Sequence, residues 1–155
     1  MEFKFNYEYF EDFNKLPSSE IEMVNKAIDS MQNAYAPYSR FQVGASIQLK
    51  SGKIICGNNQ ENIAYPSGLC AERVALFYAN ANFPDEPVEK ICITSMGDLI
   101  SKDVDLSPCG SCRQVILESE NRQEAPIKII LVNQDRRTIV IQSAKDLLPF
   151  GFSKK

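Results

Sequence analysis

The sequence predicts an α/β fold: one domain over residues 1–155, with a mixed five-stranded β-sheet flanked by helices. Three observations carry this. Short apolar strand patterns and helical patterns alternate with brief connections, as in one compact unit. The segment Lys90 through Ile127 runs strand–helix–strand, which implies a right-handed parallel crossover. Only "QDRR" separates "IKIILVN" from "TIVIQS", so that last return must be antiparallel.

Each element has its own signal. In "PSSEIEMVNKAIDSMQNA", Ser19 and Glu22 form a capping-box pattern, and Ile21, Val24, Ala27, Ile28 and Met31 follow helical spacing. Pro37 biases Ala36 away from helix and so stops it. "FQVGASIQL" (Phe41–Leu49), a turn at Ser51-Gly52 and "KIICG" read as a β-hairpin. A helix over 70–80, a strand Lys90–Ser95, a helix over 109–118 and strands Ile127–Asn133 and Thr138–Ser143 follow. Both later helices then start at the same edge of strand ends, where α/β sheets keep their sites. Residues 1–17 are an extension. Phe3, Phe5, Tyr7 and Tyr9 alternate with Glu2, Lys4, Asn6 and Glu8, a period-2 pattern that fits a half-buried strand. The favoured reading is instead an aromatic tail docked on the domain or on a subunit neighbour, because a terminal strand needs an edge to join.

Composition narrows the chemistry. The chain has 44% hydrophobic and 24% charged residues, net charge −3 and a pI near 5.1. That balance disfavours polymeric nucleic acid, whose binders carry basic patches. No apolar run is long enough to span a bilayer, and "MEFKFNYEYFEDF" does not read as a signal peptide, so a cytoplasmic location is expected. Five cysteines without an export signal argue against a disulfide framework. Histidine is absent, which removes Ser-His-Asp and Cys-His nucleophiles and every metal site built on imidazole.

"SPCGSCRQVILE" places Cys109 and Cys112 at a helix start. Three readings are open: two small buried residues, a C-x-x-C redox pair, or part of a metal site. A metal site demands a further thiolate from another element, and "LCAERVAL" supplies Cys70, again at a helix start, with Glu72 two residues on. Three thiolates on Zn²⁺ leave a fourth position for water, whose pKa falls to about 7 in catalytic sites. Glu72 is then the proton shuttle; its alternative role is a solvated glutamate favoured by the helix dipole. Residues i and i+2 lie about 200° apart on a regular helix, so the pairing requires Cys70 to precede the first regular turn. Arg73 and Arg113 are candidates to offset the thiolate charge, with surface solubility as the alternative. Cys56 and Cys92, in "IICG" and "ICIT", read as core packing.

C-x-E followed by P-C-x-x-C is the three-cysteine form of the zinc deaminase signature. With "PYSRFQVGASI", "GNNQENIAYPSGLCAERVAL", "SPCGSCRQVILE" and "LLPFGF" in order from about Pro37 to Phe152, the chain closely resembles the small homotetrameric cytidine deaminases. The resemblance implies one Zn²⁺ per subunit on Cys70, Cys109 and Cys112, with Glu72 as general acid/base. It implies that Asn59 and Glu61 bond the ribose hydroxyls and that Phe41 packs near sugar and base. The Ala71 N–H would meet the pyrimidine carbonyl, and Arg73 would temper the thiolate charge. Phe152 would reach a neighbouring subunit's base pocket, with capping of its own core as the alternative. Phe150 stands where the family more often has a small residue. The implied reaction is hydrolysis of cytidine and deoxycytidine to uridine and deoxyuridine in pyrimidine salvage. Rival readings are a deaminase of a modified cytosine compound, an editor of polymeric nucleic acid, and a thiol-redox or structural zinc protein.

Overall fold

In a computed structural model, which describes residue 2 and residues 4–153, the chain forms a mixed sheet between two helical layers. The strands are β1 (Tyr7–Phe10), β2 (Gln42–Leu49), β3 (Ile54–Asn58), β4 (Val88–Met96), β5 (Lys128–Val132) and β6 (Thr138–Ile141). The helices are α1 (Ser18–Met31), α2 (Ala71–Asn82), α3 (Gly110–Gln123) and the short α4 (Ala144–Leu147). Strand order is β1-β6-β5-β4-β2-β3. Only β4 and β5 pair in parallel, joined through α3; the other pairs are antiparallel.

Strand alternation sorts the core into two faces. Ile91, Ile93, Ile129 and Leu131 point towards α2, α3 and α4, while Cys92, Ile130 and Val132 point towards α1. Every one of these is buried. Both faces of β4 and β5 are thus covered, which is why they read as nearly continuous apolar runs.

Among the described residues the sheet has six strands, not five. Tyr7–Phe10 pairs antiparallel with β6, from Tyr7 opposite Ile141 to Phe10 opposite Thr138. β6 supplies the edge that the tail reading held to be missing, so the end of the alternating stretch is a strand. Tyr7 and Tyr9 are exposed, however, and the strand is not half-buried on its aromatic face. Phe3, the first aromatic of that pattern, lies outside the described residues. The chain then turns on Asp12, which takes two hydrogen bonds from Arg136 (2.7 and 3.0 Å). Phe13 and Leu16 close the α1 face of the core, with the Arg136 guanidinium 4.2 Å above the Phe13 ring. Truncation of Phe13 to alanine is expected to destabilise the fold by about 3 to 5 kcal/mol, as for other buried phenylalanines, read from urea unfolding.

Four other details depart from expectation. The capping box does not form: the N-cap is Pro17, two residues before Ser19, and α1 begins at Ser18 with no side-chain cap. Its first-turn carboxylate, Glu20, is buried between Lys90 (3.2 Å) and Lys128 (2.9 Å). α3 runs on to Gln123, and α4 is an added element whose first residues are capped by Ser143. Glu120 explains both: buried on α3, it accepts hydrogen bonds from Ile127 N, Ala144 N and Ser143 Oγ (2.8, 2.8 and 2.6 Å). Cys92 is core, as expected, but Cys56 is exposed, because β3 is a sheet edge.

Candidate active site

α2 and α3 direct their N-termini at one point beyond the C-terminal end of β4. Cys70 and Cys109 occupy the cap positions of these two helices, both in extended backbone (φ −72°, ψ 153° and φ −64°, ψ 164°), and Cys112 lies in the first turn of α3. Cys70 therefore stands outside the regular helix, which removes the conflict with Glu72 set by helical geometry. Gly57 fixes where α2 starts: a Cβ there would lie 2.7 Å from Ala71 O and from Ala75 N, so β3 passes directly against the first turn. Any side chain at Gly57 would push Cys70 and Glu72 away.

The three sulfurs lie within 4.8 Å of one another, Cys70–Cys109 at 4.0 Å and Cys109–Cys112 at 3.4 Å. Tetrahedral zinc with bonds of about 2.3 Å needs sulfurs roughly 3.8 Å apart, so the cluster fits the ion. Two helix N-termini favour the thiolate charge. Arg73 adds to this, with Nη2 at 3.7 Å from Cys70 Sγ. Hydrogen bonding from Cys112, helped by Arg73, pulls the Cys70 thiol down to about 5. Cys112 is pushed up by the same bond and by burial. Arg113 is not a free surface residue. Its guanidinium donates to Pro108 O (2.8 Å), Ser107 Oγ (2.7 Å) and Leu147 O (3.0 Å).

Glu72 is 3% exposed, and its Oε2 finds no hydrogen-bond partner among the described residues. Burial pushes its carboxyl group up, towards the protonated form. It lines a cavity of about 630 Å³ together with Cys70, Cys109, Phe41, Asn59 and Glu61. That volume suits a small molecule rather than a macromolecular groove. Ala71, the first residue of α2, is buried beside them, and its N–H is among the helix's four donors without an intrahelical acceptor.

Asn59 and Glu61 are held by bonds to their own chain. Asn59 Oδ1 accepts from Val43 N and Nδ2 donates to Phe41 O, both at 2.8 Å. Glu61 accepts from Tyr38 N (2.9 Å), Ser39 N (3.2 Å) and Ser39 Oγ. Burial acts to raise the Glu61 carboxyl, but these hydrogen bonds outweigh it and hold the group low. An ionised carboxylate has about four acceptor sites and an amide two donors and two acceptors, so each side chain keeps spare capacity facing the cavity.

Phe152 is not part of this cavity. Its ring is 87% exposed, which removes the reading in which it caps its own core, and Phe150 is fully exposed with φ +59°. The Phe152 backbone is tied to α3 by Gln114, through Phe152 N to Oε1 (3.1 Å) and Nε2 to Phe152 O (2.7 Å). Reasoning from sequence missed Tyr65, Leu99 and Leu106 among the cavity walls. Tyr65 stacks edge-on against Tyr38 at 6.0 Å and stood inside a motif already singled out. Leu99 and Leu106 sit in an irregular loop that has no periodicity to mark them.

Comparison with known proteins agrees with this geometry. The family model for the cytidine and deoxycytidylate deaminase zinc-binding region matches residues 17–126. A cytidine deaminase of Halalkalibacterium halodurans is 41% identical over 96 residues, covering 62% of this chain and 68% of that protein. A probable cytidine deaminase of Dictyostelium discoideum is 36% identical over 138 residues, 86% of each chain. Among solved structures, the cytidine deaminase of Burkholderia pseudomallei superposes with a TM-score of 0.74 at 35% identity, covering 85% of this chain and 98% of its own. That of Mycobacterium tuberculosis superposes with a TM-score of 0.68 at 28% identity, covering 89% and 100%.

Proposed function

Because the chain belongs to the cytidine and deoxycytidylate deaminase zinc-binding family, we propose that it hydrolyses cytidine and deoxycytidine to uridine and deoxyuridine in pyrimidine salvage. The observation that carries this is the unpartnered, buried Glu72 Oε2 facing a cavity beside three convergent thiols. Cys70, Cys109 and Cys112 would hold one zinc ion per subunit, which supplies a water acidic enough to act as nucleophile at neutral pH. Glu72 removes a proton from that water and delivers it to N3 of the pyrimidine, leaving C4 open to attack. The water oxygen bonds to C4. Glu72 then moves the second proton from this oxygen to the exocyclic nitrogen, the C4–N bond breaks, and ammonia leaves. Each proton passes through one carboxylate, so its oxygen must be free of any protein partner, as Oε2 is.

The Ala71 N–H is assigned to the pyrimidine carbonyl and the Phe41 ring to the apolar side of the base. The spare acceptor on Glu61 and the spare donor and acceptor on Asn59 are assigned to the ribose hydroxyls. A bare cytosine would leave that capacity unused in a partly dry pocket, which favours a nucleoside. The same groups weigh against a modified cytosine compound without ribose.

The exposed Phe152 ring is assigned to the base pocket of a neighbouring subunit in a homotetramer, which accounts for an aromatic held in place by its backbone yet left exposed. Five unpaired thiols fit a reducing compartment such as the cytoplasm. Among the described residues no helix is long and apolar enough to cross a membrane. A thiol-redox or purely structural zinc protein gives Glu72 no task. The test pairs two measurements: bound zinc per chain, and loss of cytidine absorbance on incubation. About one zinc per chain with turnover is expected; one zinc without turnover would reject the enzyme.

A further inference from the structure

We propose that Arg113 is a positioning residue for the metal centre, holding the backbone that presents Cys109 by the fork geometry of its guanidinium rather than by its charge. This rests on the three-thiolate reading of the site. Cys109 precedes the regular part of α3, and residues 105–109 form no helix or strand. The first main-chain bond of α3, Arg113 N to Cys109 O (2.9 Å), holds Cys109 from the helix side, while the residues before it belong to no ladder and are held by side chains. Arg113, directly after ligand Cys112, reaches back across the whole C-x-x-C turn. Nε takes Pro108 O and Nη2 takes Ser107 Oγ, the two residues immediately before Cys109.

The third bond anchors the clamp. Nη1 donates to Leu147 O at the end of α4, and α4 is itself fixed by the bond of Ala144 N to buried Glu120. From the other side, Asn133 accepts from Leu106 N and donates to Asp105, each at 2.8 Å. The approach to Cys109 is therefore gripped at four successive residues, two of them by Arg113. The thiolate-facing cation is Arg73, at 3.7 Å from Cys70 Sγ, so charge neutralisation already has an agent.

The two roles for Arg113 separate cleanly in a substitution series. Lysine keeps the charge but offers one nitrogen, which cannot span three acceptors on different segments. Positioning predicts that Arg113→Lys and Arg113→Gln behave alike. Both are expected to weaken zinc binding by about 10- to 100-fold, the usual effect of losing a residue that orients a ligand. The readouts are chelator competition for zinc, at a temperature where the metal-free protein is folded, and the thiolate absorption band of the Co²⁺-loaded protein, which should shift or weaken. Wild-type affinity in Arg113→Lys would overturn the proposal, as would a lowered metal-free Tm with unchanged zinc affinity. Should either variant fail to fold, Ser107→Ala decides. It removes one acceptor and is expected to weaken zinc by up to about tenfold; no change there overturns the proposal. Failure of the wild-type protein to bind zinc would instead reject the underlying site.

Discussion

Glu72→Ala is expected to lower kcat for cytidine by about 10²- to 10⁴-fold, the range for losing a positioned general acid/base, while zinc stays at one per chain. Glu72 is not one of the three thiol ligands, so the metal should remain. KM should change little, because the residues assigned to the ribose are elsewhere on the cavity wall. Stability gives an independent check. An unpartnered carboxylate oxygen at 3% residue exposure is unfavourable for the fold. Its removal is therefore expected to leave Tm unchanged or raised, the pattern of a residue kept for chemistry. Near-normal turnover in Glu72→Ala would remove it as proton carrier.

Cys70→Ala is expected to abolish both zinc retention and deamination. Cys70 is the ligand contributed by α2, whereas Cys109 and Cys112 both belong to α3. Without it the metal would have two thiolates, from one helix, and nothing would tie the α2 N-terminus to the α3 N-terminus. Zinc should consequently raise the Tm of the wild-type protein and not that of Cys70→Ala; binding at 100 times Kd stabilises by about 2.7 kcal/mol. Retained stoichiometric zinc in the variant would mean that the ligand set is wrong. The two substitutions divide the site into the part that grips the metal and the part that moves protons.

The convergence of Cys70, Cys109 and Cys112 was legible in the sequence because few residues can replace a thiolate, and the absence of histidine left few other options. Strands and helices were legible where their periodicity was apolar, as in Ile127–Asn133. What stayed hidden depends on partners far along the chain. The second half of α3 is polar, so its burial is visible only once Ser143, Ala144 and Ile127 satisfy Glu120. Ser19 with Glu22 carries the local signal for a cap, yet α1 starts after Pro17 with no side-chain cap. Arg113 resembled a surface charge because its three acceptors are a proline carbonyl, a serine hydroxyl and the end of a short helix.

The first strand has a consequence for synthesis. β1 leaves the ribosome long before β6, the strand it pairs with: Glu8 and its partner Gln142 are 134 residues apart. At 5 to 20 residues per second the interval is on the order of 10 s. Throughout it, a strand with exposed Tyr7 and Tyr9 has no edge to pair with in its own chain. Glu8, between those aromatics, and Glu11, directly after the strand, place charge where it disfavours pairing between nascent chains. The charge that sits on this exposed edge strand in the finished protein also keeps it soluble while it waits.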